Sequence, residues 1–144
     1  MFKDSLLTGQ RILVTGGGSG LGREFSEAFA ALGAEVHICG RRGSVLEKTA
    51  VEIVEKTGGQ IFAHTVDIRD AGAVDKMIDG IWHESGPLTG LVNNAAGQIM
   101  SPTNKLSTRG FDAVAATVFN GTYYTTHSVG RRWIDEGLKG NVIS

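Results

Sequence analysis

One repeating pattern constrains the fold of this chain most: short apolar runs alternate with longer stretches of helical periodicity. Arg11–Thr15 contains an apolar run that stops at glycine, as a buried parallel strand does. Glu35–Cys39, Gln60–Val66 and Leu88–Val92 repeat this form, and Asn141–Ser144 begins a fifth strand. Because the connections between strands and helices are short, the pattern predicts right-handed crossover units in a doubly wound parallel sheet, an α/β Rossmann fold.

The helices between these strands are predicted from the spacing of apolar side chains and from capping residues. In the first helix the residues at three- and four-residue steps are Leu21, Phe25, Ala28, Phe29 and Leu32. Ser44 and Glu47 have the spacing of a capping box for the second helix, and Asp70 is the predicted N-cap of the third. The pattern from Ser107 to about Glu136 predicts one long helix.

Composition restricts the classes of function. The 14 basic and 15 acidic residues give a net charge of −1, which argues against a dedicated binder of nucleic acid or membrane surfaces. Cys39 is the only cysteine, which excludes a disulfide within one chain, and the four histidines lack metal-ligand spacing. No apolar run is long enough to span a membrane, and the start has no signal-peptide stretch. The sequence favours a cytoplasmic enzyme or binding protein without a metal.

The 144 residues leave room for one domain, and the chain stops inside the fifth strand. A parallel strand needs neighbouring strands and helices that cover both faces. We therefore expect the sequence to be a stretch of a longer chain. The alternative is a short protein that completes its sheet with a partner.

The turn between the first strand and the first helix is rich in glycine. Gly16 lets the chain turn sharply, Gly20 lets a diphosphate approach the backbone, and Gly22 lets the helix pack close to the sheet. The N–H groups and positive end of the helix favour an anion. The turn therefore predicts a dinucleotide site, and the alternative is a flexible turn. The predicted cofactor contacts in this turn are Thr15, Gly16, Gly18, Ser19, Gly20, Leu21 and Gly22.

The end of the second strand indicates which dinucleotide binds. A site for NAD places an acidic residue there to bind the ribose 2′-hydroxyl, but this chain has Gly40 followed by Arg41 and Arg42. Gly40 leaves space, and Arg41 can bind a 2′-phosphate through charge-assisted hydrogen bonds. The sequence therefore favours NADP(H) over NAD(H). The alternative is that both arginines are solvated loop charges.

Two motifs identify a known family. Thr15, Gly16, Gly20 and Gly22 have the spacing Thr-Gly-x-x-x-Gly-x-Gly, and Asn93–Gly97 reads Asn-Asn-Ala-Ala-Gly. Together they resemble the short-chain dehydrogenase/reductase family, and residues 1–144 resemble its dinucleotide-binding Rossmann domain, about the N-terminal half of a single-domain enzyme. The resemblance implies hydride transfer between a nicotinamide and a small-molecule carbonyl or activated alkene. It also implies a homo-oligomer, usually a tetramer, paired through the long helix.

The resemblance extends the cofactor site to two further loops. It implies that Asp67 contacts the adenine amino group and that Ile68 packs against the adenine ring. It also implies that Asn94, Ala95 and Ala96 line the adenosine ribose. Asp67 as a turn-forming acid, and the second loop as a structural turn, are the alternatives. Many NADP-using relatives also carry a basic residue in the glycine turn. This chain has no basic residue in that turn, which contains Gly17.

The resemblance gives less about the reaction. The main branch of the family uses a Ser, a Tyr-x-x-x-Lys motif and a helix Asn for catalysis. These 144 residues contain no Tyr-x-x-x-Lys. The position of the helix Asn is occupied by Val118, two residues before Asn120. We therefore expect the main catalytic residues beyond Ser144, and a packing role for the tyrosines. The stretch from Asn93 to Thr103 resembles the 2,4-dienoyl-CoA and trans-2-enoyl-CoA reductases, which implies an acyl-CoA thioester as substrate and places Gln98 beside it.

Three alternatives to that reaction stay open. They are a 3-oxoacyl or other carbonyl reductase, a dinucleotide-binding module without catalysis, and a methyltransferase that shares the glycine turn. The last is disfavoured by Asn93-Asn94-Ala95 and by the arginine after the second strand.

Overall fold

The structure is a computed structural model and describes residues 5–144, so the start at Met1–Asp4 lies outside the described residues. Five parallel strands form one sheet in the order β3-β2-β1-β4-β5. The strands are β1 Arg11–Thr15, β2 Glu35–Gly40, β3 Gln60–Thr65, β4 Gly90–Val92 and β5 Asn141–Ile143. The predicted doubly wound α/β fold is confirmed, and the described chain ends at the fifth strand.

Helices cover both faces of the sheet. They are α1 Gly20–Ala31, α2 Gly43–Thr57, α3 Ala71–Glu84, α4 Thr108–Ala115 and α5 Thr122–Asp135. One core contains Val14, Val36 and Ile38 of the sheet with side chains of α1 and α2. A second core, on the opposite face, contains Leu13 and Leu91 with side chains of α3 and α5. Alternate residues of β1 therefore serve different cores, as the pleat of a strand requires.

The side of α1 that meets the sheet differs from the apolar stripe read in the sequence. Leu21 is 68% exposed and Phe25 is 38% exposed, whereas Gly22, Ser26 and Ala30 are buried. The fully buried side is thus offset by one residue and carries only small side chains, while Phe29 of the predicted stripe is half-buried and packs against the core. The reason is the close approach of the helix to the sheet, which leaves no room for leucine or phenylalanine at the contact.

The start of α2 was predicted incorrectly and the start of α3 correctly. The N-cap of α2 is Arg42, without a side-chain capping bond, so Ser44 lies inside the helix and forms no capping box. Asp70 caps α3 as predicted, since its carboxylate accepts a hydrogen bond from the Ala73 N–H at 3.0 Å. Asp70 satisfies one of the free donors that every helix has at its N-terminus.

The predicted single helix from Ser107 to Glu136 is interrupted. Between α4 and α5 the backbone forms a π-helical segment at Ala116–Gly121. Close packing accompanies it, because a Cβ at Gly121 would lie 2.6 Å from the Ile68 Cδ1. Apolar periodicity cannot reveal a change from α to π hydrogen bonding, and π segments occur often at functional sites.

A row of hydrogen-bonded polar groups crosses the α3 side of the sheet. Arg11 Nε donates to Glu35 Oε1 at 2.6 Å, and that oxygen also lies 2.9 Å from His37 Nε2. His37 Nδ1 lies 2.8 Å from His64 Nε2. His37 is buried, and burial lowers the pKa of both imidazoles. The pKa of His64 falls to about 4, because repulsion from a protonated His37 lowers it as well. Burial therefore keeps both rings neutral at pH 7, although the Glu35 carboxylate opposes this effect at His37.

Within residues 5–144 no helix is long and apolar enough to cross a membrane. The same part of the chain contains no group of three or more His, Cys, Asp or Glu side chains placed to hold a metal ion.

Candidate functional site

A cavity of about 320 Å³ lies at the carboxyl ends of the central strands. After β3 the chain crosses to the other side of β1, so the order of strands reverses between β1 and β4. In open α/β sheets ligands bind in the crevice at such a reversal. The cavity is therefore where this topology is expected to hold a ligand.

The predicted residues that line this cavity come from four loops. They are Gly16, Gly18, Ser19, Arg41, Arg42, Asp67, Ile68, Asn94, Ala95 and Ala96. Thr15, Gly20, Leu21, Gly22 and Gln98 do not line it. The structure thus brings most of the predicted cofactor contacts to one place.

The glycine turn has backbone angles that other residues rarely adopt. Gly16 has φ 68° and Gly20 has φ 55°, both in the left-handed region. A Cβ at Gly20 would meet no atom within 4 Å, so the backbone at the start of α1 is open. Free N–H groups at a helix start with open space before them form a site that an anion can occupy.

Other glycines in the turn are needed for packing. A Cβ at Gly22 would collide with the carbonyl oxygen of Gly16 and would lie 2.5 Å from Asn94 Nδ2. A Cβ at Gly17 would lie 2.5 Å from Ile38 Cγ2. Position 17 therefore has no space for a basic side chain, which gives a steric reason for its glycine.

Hydrogen bonds fix the loop after β4 against the glycine turn. The Thr15 hydroxyl accepts from the N–H groups of Asn94 at 3.0 Å and Ala95 at 2.9 Å. The Asn94 amide donates to the Thr15 carbonyl at 3.0 Å, and Asn93 accepts from the Thr125 hydroxyl at 2.7 Å. Thr15 is buried and acts by holding the two loops together rather than by lining the cavity. The structural role of this loop, one of the alternatives above, is thereby observed.

Charge is concentrated where β2 ends. Arg41 and Arg42 are exposed and line the cavity beside Gly40. A Cβ at Gly40 would meet only Leu46, at 3.8 Å, so the space beside Gly40 is open. This end of the cavity can take an anionic group.

The loop after β3 contributes one acid and one apolar residue. The hydrogen bonds from the Arg69 side chain hold the pKa of Asp67 below its usual value, and the positive charge of Arg41 lowers the pKa further. Ile68 is 7% exposed and packs beneath the π segment at Gly121. The cavity thus has an ionised carboxylate beside an apolar wall.

Some of the lining residues were not predicted as cofactor contacts, among them Val45, Leu46 and Thr117. Val45 and Leu46 reach the cavity from the first turn of α2, and Thr117 reaches it from the π segment. Leu46 is a buried core residue that also borders the cavity. The position of Thr117 at the cavity depends on the π segment that interrupts the long helix, which apolar periodicity does not indicate.

The cavity contains no activated nucleophile of its own. Cys39 lines it, but burial raises the pKa of this thiol to about 12, so it stays protonated. Tyr124 packs against the core, whereas Tyr123 is 59% exposed and stacks on His127. Gln98 is exposed in the loop after β4, and its place beside a substrate stays a prediction.

Comparison with known proteins decides the family. The family model described as short chain dehydrogenase matches residues 10–144. The chain belongs to the short-chain dehydrogenase family. The family match thus agrees with the resemblance of the two motifs, the glycine turn and the loop after β4.

The short-chain dehydrogenases that resemble this chain include named reductases. A probable 2,4-dienoyl-CoA reductase of Caenorhabditis elegans is 39% identical over 100% of this chain and 47% of its own length. A probable 2,4-dienoyl-CoA reductase of Bacillus subtilis is 35% identical over 92% of this chain and 52% of its own length. A solved citronellol catabolism dehydrogenase of Pseudomonas aeruginosa is 40% identical with a TM-score of 0.91, over 99% of this chain and 57% of that chain. The chain spans about half the length of these relatives.

Solved structures of this fold hold either cofactor. A metagenomic short-chain oxidoreductase in complex with NADP has a TM-score of 0.86 at 27% identity, covering 94% of this chain and 61% of its own. NAD⁺-bound xylitol dehydrogenase has a TM-score of 0.89 at 24% identity, covering 95% and 52%. The family binds a nicotinamide dinucleotide, and the fold does not choose between the two cofactors.

Proposed function

We propose that this chain is the dinucleotide-binding domain of an NADP(H)-dependent oxidoreductase that reduces an enoyl- or dienoyl-CoA thioester. The observation that carries the cofactor choice is the end of β2, where Arg41 and Arg42 line the cavity and no carboxylate follows the strand. A carboxylate there would repel a 2′-phosphate, whereas a guanidinium binds one with two parallel hydrogen bonds.

Each part of the cavity suits one part of NADP(H). Gly18 and Ser19 line the cavity just before the open start of α1, which suits the diphosphate because the first N–H groups of a helix have no partner within the helix. Asp67 and Ile68 suit the adenine as a hydrogen-bond acceptor and an apolar wall. Asn94, Ala95 and Ala96 suit the adenosine ribose. The nicotinamide, when bound, supplies the hydride, while residues of this chain hold and orient the dinucleotide.

The substrate class rests on resemblance. The two relatives named above as probable 2,4-dienoyl-CoA reductases match nearly the whole of this chain. Gln98 lies after the Asn-Asn-Ala-Ala-Gly motif in an exposed loop, where its amide can donate to a thioester carbonyl. A tetramer and a cytoplasmic location stay predictions from the sequence.

Equilibrium titration with NADP⁺ and NAD⁺ tests the cofactor choice. We expect the unaltered chain to prefer NADP⁺. Arg41→Gln should weaken NADP⁺ binding roughly tenfold to a hundredfold, the range for a hydrogen bond between charged groups, and change NAD⁺ binding less than about threefold. The control is Arg131→Gln, an exposed arginine that pairs with Asp75 outside the cavity. Equal loss of both cofactors in Arg41→Gln, or a preference for NAD⁺, would contradict the proposal.

Substrate assays with the full-length protein, including the catalytic residues expected beyond Ser144, test the reaction separately. Oxidation of NADPH by a 2,4-dienoyl-CoA or by crotonyl-CoA, but not by acetoacetyl-CoA, is the expected result. Turnover of acetoacetyl-CoA alone would favour the 3-oxoacyl reductase, and binding of NADPH without any turnover would favour a module without catalysis.

A further inference from the structure

Asp67 at the cavity wall is held by the arginine two residues later. Arg69 Nε lies 2.9 Å from Asp67 Oδ1 and 3.0 Å from Oδ2, and Arg69 Nη2 lies 2.5 Å from Oδ2. The Arg69 backbone N–H also donates to Oδ1 at 3.0 Å. Two groups of one residue therefore fix both oxygens of a carboxylate that lines the cavity.

This pair contributes little to fold stability. The side chains of Arg69 and Asp67 are 40% and 33% exposed, and ion pairs of such exposure add little to the free energy of unfolding. The geometry is nevertheless the planar, two-point contact that orients a carboxylate best. Its main consequence is the direction of the Asp67 oxygens.

The fixed carboxylate retains capacity for one more donor. Its two oxygens offer about four acceptor positions, and Arg69 supplies three N–H groups. The side chain of Arg69 does not itself line the cavity. A ligand donor that enters the cavity therefore meets an acceptor already set in place, and no freedom of Asp67 is lost on binding.

Arg69 also changes the charge that a ligand encounters. Asp67 lies close enough to Arg41 for the arginine charge to lower its pKa. An unpaired carboxylate at this place would repel a phosphate held by Arg41. Paired with Arg69, Asp67 presents an acceptor with its charge largely offset.

We propose that Arg69 is a positioning residue that gives the cavity its preference for a base with an exocyclic amino group, the adenine of the dinucleotide. The inference rests on the proposed function, since it takes the bound ligand to be a dinucleotide whose adenine reaches Asp67. Arg69 acts through Asp67 and touches neither the base nor the reacting atoms.

The test compares NADP⁺ with its hypoxanthine analogue, in which a carbonyl oxygen replaces the amino group. Both carry the same diphosphate and 2′-phosphate, so the ratio of their dissociation constants reports only the contact at the base. We expect the unaltered chain to bind NADP⁺ roughly tenfold more tightly, as loss of a hydrogen bond to a charged acceptor predicts. In Arg69→Gln the ratio should fall below about threefold, mainly through weaker NADP⁺ binding.

Two further variants separate positioning from folding. Arg69→Lys keeps the charge without the two-point contact and should restore part of the ratio. Arg131→Gln removes an arginine that is 43% exposed and paired with Asp75 outside the cavity, so it should leave the ratio unchanged. Thermal unfolding of each variant verifies that it is folded at the titration temperature.

Every outcome bears on the inference. An unchanged tenfold ratio in Arg69→Gln would overturn it. A ratio near one in the unaltered chain would also overturn it, while NADP⁺ binding that depends on Arg41 would leave the proposed function intact. Failure of the unaltered chain to bind either dinucleotide would overturn both.

Discussion

Replacing Gly22 with alanine tests the close contact between the glycine turn, α1 and the loop after β4. The new Cβ would collide with the Gly16 carbonyl oxygen and would lie 2.5 Å from Asn94 Nδ2 and 2.9 Å from the Gly16 carbonyl carbon. Ordinary contacts between such atoms exceed about 3.2 Å. The helix start must therefore move, or Asn94 must release the Thr15 carbonyl that it now contacts at 3.0 Å.

The size of the effect follows from opposing contributions. Overpacking costs about 1–3 kcal/mol, and a lost Asn94 hydrogen bond costs about 1 kcal/mol. The gain from alanine over glycine in a helix offsets up to about 1 kcal/mol. We expect a net loss near 2 kcal/mol, which lowers the melting temperature by roughly 4–8 °C in a domain of this size. Displacement of the turn should also weaken NADPH binding by at least about tenfold.

Differential scanning calorimetry and NADPH titration measure these two effects. Gly80→Ala is the matched control: Gly80 also lies in a helix, and a Cβ there would meet no atom within 4 Å. The control should be as stable as the unaltered chain or more so, with unchanged NADPH affinity. A Gly22→Ala variant with an unchanged melting temperature and unchanged affinity would refute the steric argument.

Two other predictions concern charge. Gly40→Asp places a carboxylate where only Leu46 lies near, at 3.8 Å, so the fold should tolerate it. NADP⁺ affinity should fall at least about tenfold and NAD⁺ affinity should rise. Titration with both cofactors measures the two changes, and unchanged NADP⁺ binding would contradict the assignment of the 2′-phosphate to the end of the cavity at Gly40. Acid should destabilise the fold through the histidine row, because the pKa of His64 is lowered to about 4 against about 6.5 in an unfolded chain. The unfolded state then binds more protons, so stability present above pH 6.5 is lost as pH falls toward 4, by roughly 2 kcal/mol for this partly exposed ring. Urea unfolding at pH 7, 6 and 5 measures the loss, and His64→Gln should reduce it; an identical pH dependence in that variant would contradict the cause.

The sequence predicted the sheet well, because each buried strand is a short apolar run bounded by glycine or polar residues. Arg11–Thr15 coincides with β1, and the Asp70 cap is correct. Such features are local, since a strand or a cap is specified by the residues that form it. The order of the five strands was not predicted, because the handedness rule for parallel crossovers leaves open which strands are neighbours.

What the sequence missed depends on contacts between distant residues. The buried side of α1 is set by how closely Gly22 approaches Gly16, and it lies one residue further along the chain than the stripe containing Leu21. The π segment that brings Thr117 to the cavity accompanies the packing of Gly121 on Ile68. The bond between Asp67 and Arg69 is local, yet the sequence gives no reason to choose it over two solvated side chains.

A crystal structure of this chain with bound NADPH would test the central claim most directly, that the glycine turn binds a dinucleotide at the start of α1. We predict diphosphate oxygens within hydrogen-bond distance of the backbone N–H groups around Gly20, and the 2′-phosphate beside Arg41. Bound NADPH with its diphosphate away from the turn, or protein atoms filling the space before Gly20 in the complex, would contradict the account.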